Sequence, residues 1–118
     1  MDAASPFAGI LIGQPTLNRQ LRLGIFAAID QRIATRYLIK PMDLAESAAY
    51  LRHHLALAGR EDPLFADDAI ARLHRVSSGL PRALNNAAVA ALIAAAAASK
   101  DLVDDSCARK AVAELTRD

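Results

Sequence analysis

Tryptophan is absent from the 118 residues, three phenylalanines and two tyrosines complete the aromatic set, and Cys107 is the single cysteine. One cysteine excludes an internal disulfide and any zinc site built from paired cysteines. No apolar run approaches the ~20 residues that span a bilayer, and the N-terminus has no basic region followed by an apolar stretch. Neither membrane insertion nor export is indicated, and a cytoplasmic protein is expected. Large apolar side chains are also scarce. Of the 63 hydrophobic residues that make up 53% of the chain, 27 are alanine, which leaves 36. Alanine faces bury less area per residue than leucine or phenylalanine faces, so a thin helical core of modest stability is expected. The length suits one domain or a piece of a larger one.

The 14 Lys and Arg against 13 Asp and Glu give a formal net charge of +1. The balance is uneven along the chain. Residues 1–40 carry five bases (Arg19, Arg22, Arg32, Arg36, Lys40) and two acids (Asp2, Asp30), or +3, whereas residues 41–118 carry nine bases and eleven acids, or −2. An anionic partner belongs at the basic end.

The pattern divides at Pro41. Before it lie two β-like runs, Ala8 to Gly13 (AGILIG) and Ile33 to Ile39 (IATRYLI), with a helical stretch from Pro15 to about Gln31 between them. After it the pattern is helical throughout. Asp43 with Glu46 is an acidic variant of the capping box, and Leu44, Ala48, Leu51, Leu55 and Ala58 form an apolar stripe that ends at Gly59. Asp67 or Asp68 is placed to cap a second helix carrying Ile70, Leu73 and Val76, with Gly79 as its left-handed terminator. Pro81 suits the first turn of a third helix that reaches about Ser99 and packs through Leu84, Ala88, Ala91 and Ala95. A fourth, from Asp104 to about Thr116, presents Ala108, Ala111, Val112 and Leu115. The predicted fold is mainly α: a four-helix unit over residues 41–118, preceded by strand, helix and strand in residues 1–40.

AGILIG lacks the alternation of an exposed hairpin and reads as a strand buried on both faces of a parallel sheet. Two strands do not make such a sheet. The expectation is therefore a fragment whose neighbouring strands come from elsewhere, with association through exposed strands as one outcome.

Three local constellations could carry chemistry. In Ser78-Gly79-Leu80-Pro81-Arg82, followed by Asn85 and Asn86, Gly79 ends one helix, Pro81 begins the next, and Arg82 falls beside unpaired backbone amides that favour anions. The plain alternative is a helix-helix turn with a solvated arginine. In Asp30-Gln31-Arg32-Ile33-Ala34-Thr35-Arg36-Tyr37, two arginines four residues apart could reach a phosphate on a neighbouring molecule, or simply face solvent. In Gly13-Gln14-Pro15-Thr16-Leu17, Gln14 sits where the carboxyl edge of a parallel sheet meets its ligand, or is an ordinary polar turn residue. His53 and His54 diverge by roughly 100° on a helix, His74 has no ligand-spaced partner, and Cys107 reads as a small packed thiol.

Taken in order, GQPTL, DQRIATRY, the Pro41 boundary and SGLPR resemble the C-terminal half of AAA+ ATPases, in particular the group around the secretion ATPase ExeA and the transposition helper ATPases. The resemblance runs from about Phe7 to Leu115. It implies that residues 1–40 are the end of a P-loop α/β core and residues 41–118 its helical lid. It further implies that Gln14 is the sensor-1 residue, that Arg36 or Arg32 is the arginine finger acting in trans, and that Arg82, with Gly79 and Pro81, is sensor 2 facing the nucleotide. QRIATRY is similar to the Arg-x-x-Ser-Arg-Phe pattern of related initiators, which favours Arg36.

No Gly-rich run ending in Gly-Lys-Ser/Thr occurs in the chain, and no apolar strand ends in Asp-Glu. These motifs cradle the triphosphate and hold Mg²⁺. The 118 residues alone are therefore expected not to hydrolyse ATP or bind it tightly; ATP and Mg²⁺ belong to the parent. Expected partners are the missing N-terminal ATPase half or homologous subunits, with DNA or a transposase possible for the parent. The sequence does not choose between secretion and transposition. Two other classes stay open: a helix-turn-helix DNA-binding module around Ser77 to Pro81, which lacks a basic footprint, and a ligand-free helical oligomerisation domain.

Overall fold

The Asp43 carboxylate accepts from the Glu46 amide at 2.8 Å, and the Glu46 carboxylate accepts from the Asp43 amide at 2.9 Å. This reciprocal cap starts α3, Leu44–Leu57, in a computed structural model that describes Ala4 and residues 6–117. Asp2 and Asp118, counted in the charge balance, lie outside the described residues. The chain divides into two compact units, Met1–Leu38 and Ile39–Asp118. The first contains α1 (Pro15–Leu21), a 3-10 turn (Gly24–Phe26) and α2 (Ala27–Arg32). The second contains α3, α4 (Asp67–Ser77), α5 (Pro81–Ala97) and α6 (Asp105–Leu115).

The second unit is a helical bundle. Its core joins Leu51 of α3, Ala69, Ile70 and Leu73 of α4, Leu84, Ala87, Ala88, Ala91 and Ala95 of α5, and Cys107, Ala108 and Ala111 of α6, with Phe65 and Val103 from the connecting loops. The alanine face of α5 is what permits close approach: α5 packs most extensively on α6, then on α4. Phe65 and Val103 form an isolated parallel bridge, with the Ala66 amide on the Val103 carbonyl at 2.9 Å and the Val103 amide on the Leu64 carbonyl at 2.8 Å. The Arg72 guanidinium holds both Asp105 carboxylate oxygens, at 2.5 and 3.0 Å, and so ties α4 to the first turn of α6. Asp104 caps α6 by accepting from the Cys107 amide at 3.0 Å. Cys107 is buried.

Several details of the bundle differ from the sequence reading, among them Leu44 and Leu115, apolar-stripe positions that stay nearly half exposed. Neither Asp67 nor Asp68 is the cap of α4; Ala66 occupies that position without a side-chain hydrogen bond, and both aspartates lie inside the first turn. The Phe65–Val103 pairing fixes the backbone on which Ala66 sits, and acidic side chains one and two places later still favour the helix dipole. The third helix closes at Ala97, with Ser99 in the left-handed region (φ 53°), slightly before its expected end.

The strand-helix-strand remnant is not seen. Residues 8–13 and 33–39 form no strand among the described residues, and the single helix expected from Pro15 to Gln31 is broken. A strand owes its hydrogen bonds to neighbours, and neither run has one. Most of their side chains stay in solvent: Ile10 is 82% exposed, Ile12 89% and Ile39 82%, while Ile33 is half-buried. The helical break falls at Leu23, which is extended (ψ 142°) ahead of Gly24. Gly is a poor helix former, and helices of seven and six residues are too short to persist on propensity alone. Among the described residues, no helix is long and apolar enough to cross a membrane.

Candidate functional site

Arg82 stands in the first turn of α5, and the local chain explains why. At the end of α4, Ser78 (φ 52°) and Gly79 (φ 72°) both take the left-handed conformation. Their amides return to the Arg75 and His74 carbonyls, each at 3.3 Å. The Leu80 amide bonds to the Ser77 carbonyl at 3.0 Å, the Leu80 carbonyl receives the Leu84 amide at 2.9 Å, and Pro81 opens the helix. Pro81 has no N–H and Leu80 offers no side-chain cap, which leaves the Arg82 and Ala83 amides without intrahelical acceptors. The first turn contains no acidic residue.

Arg82 is exposed, as are Asn85 and Asn86. Among the described residues its guanidinium joins none of the ion pairs. A positive side chain, two free amides and the positive end of a seventeen-residue helix thus coincide. This set suits a phosphate oxygen. Gly79 and Pro81 shape the turn: Gly79 is buried, and a β-carbon on it would collide with the Met42 carbonyl oxygen.

The arginines of the first unit differ from each other. Arg36 donates through Nη1 to Asn18 Oδ1 at 3.1 Å, and through Nη2 to the Asp30 carbonyl at 3.0 Å and to Asp30 Oδ1 at 2.5 Å. Arg32 is exposed and enters no ion pair among the described residues. Gln14 occupies the N-cap position of α1 but makes no side-chain cap; its carbonyl accepts the Leu17 amide at 2.9 Å. Gly79, Pro81 and Arg82 therefore form one local group in the second unit, and Gln14, Arg32 and Arg36 lie in the first.

Sequence reasoning passed over Asn18, Met42 and Ser47, gave Asp30 no role, and read His74 as a surface or packing residue. Ser47 is fully buried and shares a 2.8 Å hydrogen bond with His74 Nδ1, joining α3 to α4. Asp30 stood in the quoted run beside the arginines, and its acidic charge six residues before Arg36 was the available signal. His54 stacks at a tilt on Tyr50, with ring centroids 4.4 Å apart. Among the described residues, no group of three or more His, Cys, Asp or Glu is arranged to hold a metal ion.

No protein-family model matches the chain, and no solved structure matches it. The chain is similar to general secretion pathway protein A of Aeromonas hydrophila, with 42% identity over 86 residues. That match takes in 73% of this chain and 16% of the relative, so the chain spans about a sixth of that protein's length. The comparison supports an ExeA-like relationship.

Proposed function

We propose that these residues act as the sensor-and-lid part of an ExeA-like AAA+ ATPase, in which Arg82 reads the nucleotide of its own subunit and Arg36 or Arg32 that of a neighbour. The single observation that carries the reading is the exposed Arg82, in no ion pair among the described residues, beside two amides without intrahelical acceptors at the start of α5. The relationship to general secretion pathway protein A gives it context and puts secretion ahead of transposition as the parental process. ATP and Mg²⁺ supply the phosphoryl chemistry of the parent. This chain contributes a cation and two amides for a terminal phosphate oxygen, and carries no Walker A or Walker B residues of its own. Gln14, exposed at the start of α1, is the sensor-1 residue in this reading. Binding energy gathered at Arg82 draws the lid unit toward nucleotide, which couples occupancy to the arrangement of subunits.

The test joins residues 1–118 to a Walker-bearing half of an ExeA-like ATPase in place of its own corresponding segment. Arg82→Ala should lower ATP turnover by at least ~10-fold, in line with the loss of a transition-state cation, while the circular dichroism of the helices is unchanged. Turnover unaffected by Arg82→Ala would contradict the proposal. The DNA-binding alternative has the three exposed polar residues Arg82, Asn85 and Asn86 in its favour and the acidic balance of residues 41–118 against it. Salt-dependent duplex binding would bring it forward.

A further inference from the structure

We infer that Asp30, assisted by Asn18, is a positioning residue that keeps Arg36 from gripping phosphate until Asp30 lets go. The inference rests on the arginine-finger reading of Arg36. An arginine chelates a phosphate through two parallel N–H donors, and the two edges that offer such a pair are Nε with Nη2 and Nη1 with Nη2. Both edges need Nη2. In this structure Nη2 bonds to the Asp30 carbonyl at 3.0 Å and to Asp30 Oδ1 at 2.5 Å, so both of its hydrogens are spent. Nη1 gives one hydrogen to Asn18 Oδ1 at 3.1 Å. What is left is one hydrogen on Nε and one on Nη1, which lie on different edges and make no fork.

The hold is local and reversible. The side chains of Arg36 and Asp30 are 41% and 32% exposed, and ion pairs this open to water exchange partners readily. A phosphate brings more negative charge than one carboxylate and accepts both donors of a fork, so it competes for the same Nη2 once it is near. Asp30 lies on α2 and Asn18 on α1, so the state of Arg36 is linked to the packing of these two short helices. Arg32, four residues earlier, enters no ion pair among the described residues. The two arginines of the QRIATRY run are thus unequal: one is held in an ion pair, the other is not.

The experiment follows the guanidinium of Arg36 by ¹⁵N NMR in the 118-residue chain and titrates inorganic pyrophosphate. In the wild type, rotation of the Arg36 guanidinium should be slower than that of Arg32. Asp30→Ala removes the carboxylate and keeps the Asp30 carbonyl, so it should speed the rotation and tighten pyrophosphate binding by up to about fivefold, the worth of an exposed ion pair. Adding Arg36→Lys, which has no fork, should remove the gain. Asn18→Ala, which takes away one hydrogen bond and no charge, should give a smaller gain of the same sign, and it keeps the test open if Asp30→Ala unfolds the unit. Rotation as slow in Asp30→Ala as in the wild type would overturn the role of the Asp30 carboxylate, and with it the inference. Freed rotation with unchanged pyrophosphate affinity would overturn the phosphate role of Arg36, and with it the gating, while leaving the Asp30 contact established.

Discussion

The Met42 amide donates to the Gly79 carbonyl at 2.9 Å, and the Met42 carbonyl oxygen occupies the space that a β-carbon on Gly79 would need. Two backbone segments thirty-seven residues apart in sequence thus meet without side chains between them, just before α3 and just before α5. Gly79→Ala should destabilise the helical unit by about 2 kcal/mol or more, because left-handed strain and a backbone collision add. The neighbouring Ser78 is also left-handed but exposed. Ser78→Gly should therefore raise stability by about 0.5–1 kcal/mol. Thermal and urea unfolding of the two variants should move in opposite directions.

Leu84 is fully buried, whereas Ile93 on the same helix is 63% exposed. Leu84→Ala should cost about 3 kcal/mol through lost burial and the cavity left behind. Ile93→Ser should stay within about 0.5 kcal/mol of the wild type. Equal effects in urea unfolding would mean that the two faces of α5 had been assigned wrongly.

Asp104 and Asp105 set the response to acid. Lys100, Ser106 and the Cys107 amide hold the Asp104 carboxyl well below its ordinary 3.8, and hydrogen bonding from Arg72, then Arg109, lowers that of Asp105. Both groups bind protons more weakly when folded, so their stabilisation is complete above pH 3.8 and is lost as pH falls toward the folded values. Stability should be level from pH 7 to about 5 and decline below about 4. Asp105→Asn should flatten that decline, which acid titration of helical circular dichroism at low salt would detect.

Ile10, Ile12 and Tyr37 in the first unit, and Ile39 at the start of the second, are each more than four-fifths exposed. Exposed runs of large apolar side chains drive association. Light scattering across a concentration series should show mass rising with concentration, and Ile10→Ser with Ile12→Ser should reduce the rise. A concentration-independent monomer would contradict this.

The bundle was legible because its signals are local. The Asp43–Glu46 box, the glycine and proline around Leu80, and the leucine-alanine stripe of α5 each dictate structure within one or two turns. Residues 8–13 and 33–39 were misread for the opposite reason: their composition suits a buried strand, but a strand is a relationship with neighbours, and none is present among the described residues. The Ala66 cap was hidden because it depends on Phe65 pairing with Val103, thirty-eight residues away. Arg82 could be singled out from the Gly-x-Pro-Arg spacing. The Asp30 charge six residues before Arg36 hinted at their pairing, but the part of Asn18 could not be read, since it requires knowing how α1 and α2 pack.

The reading of Arg82 is tested most directly by titrating ATP into the ¹⁵N-labelled chain and following its backbone amides. The account predicts weak, saturable shifts concentrated at Arg82, Ala83 and Leu84, and their loss in Arg82→Ala with the rest of the spectrum intact. Shifts that ignore the start of α5, or that persist unchanged in Arg82→Ala, would contradict it.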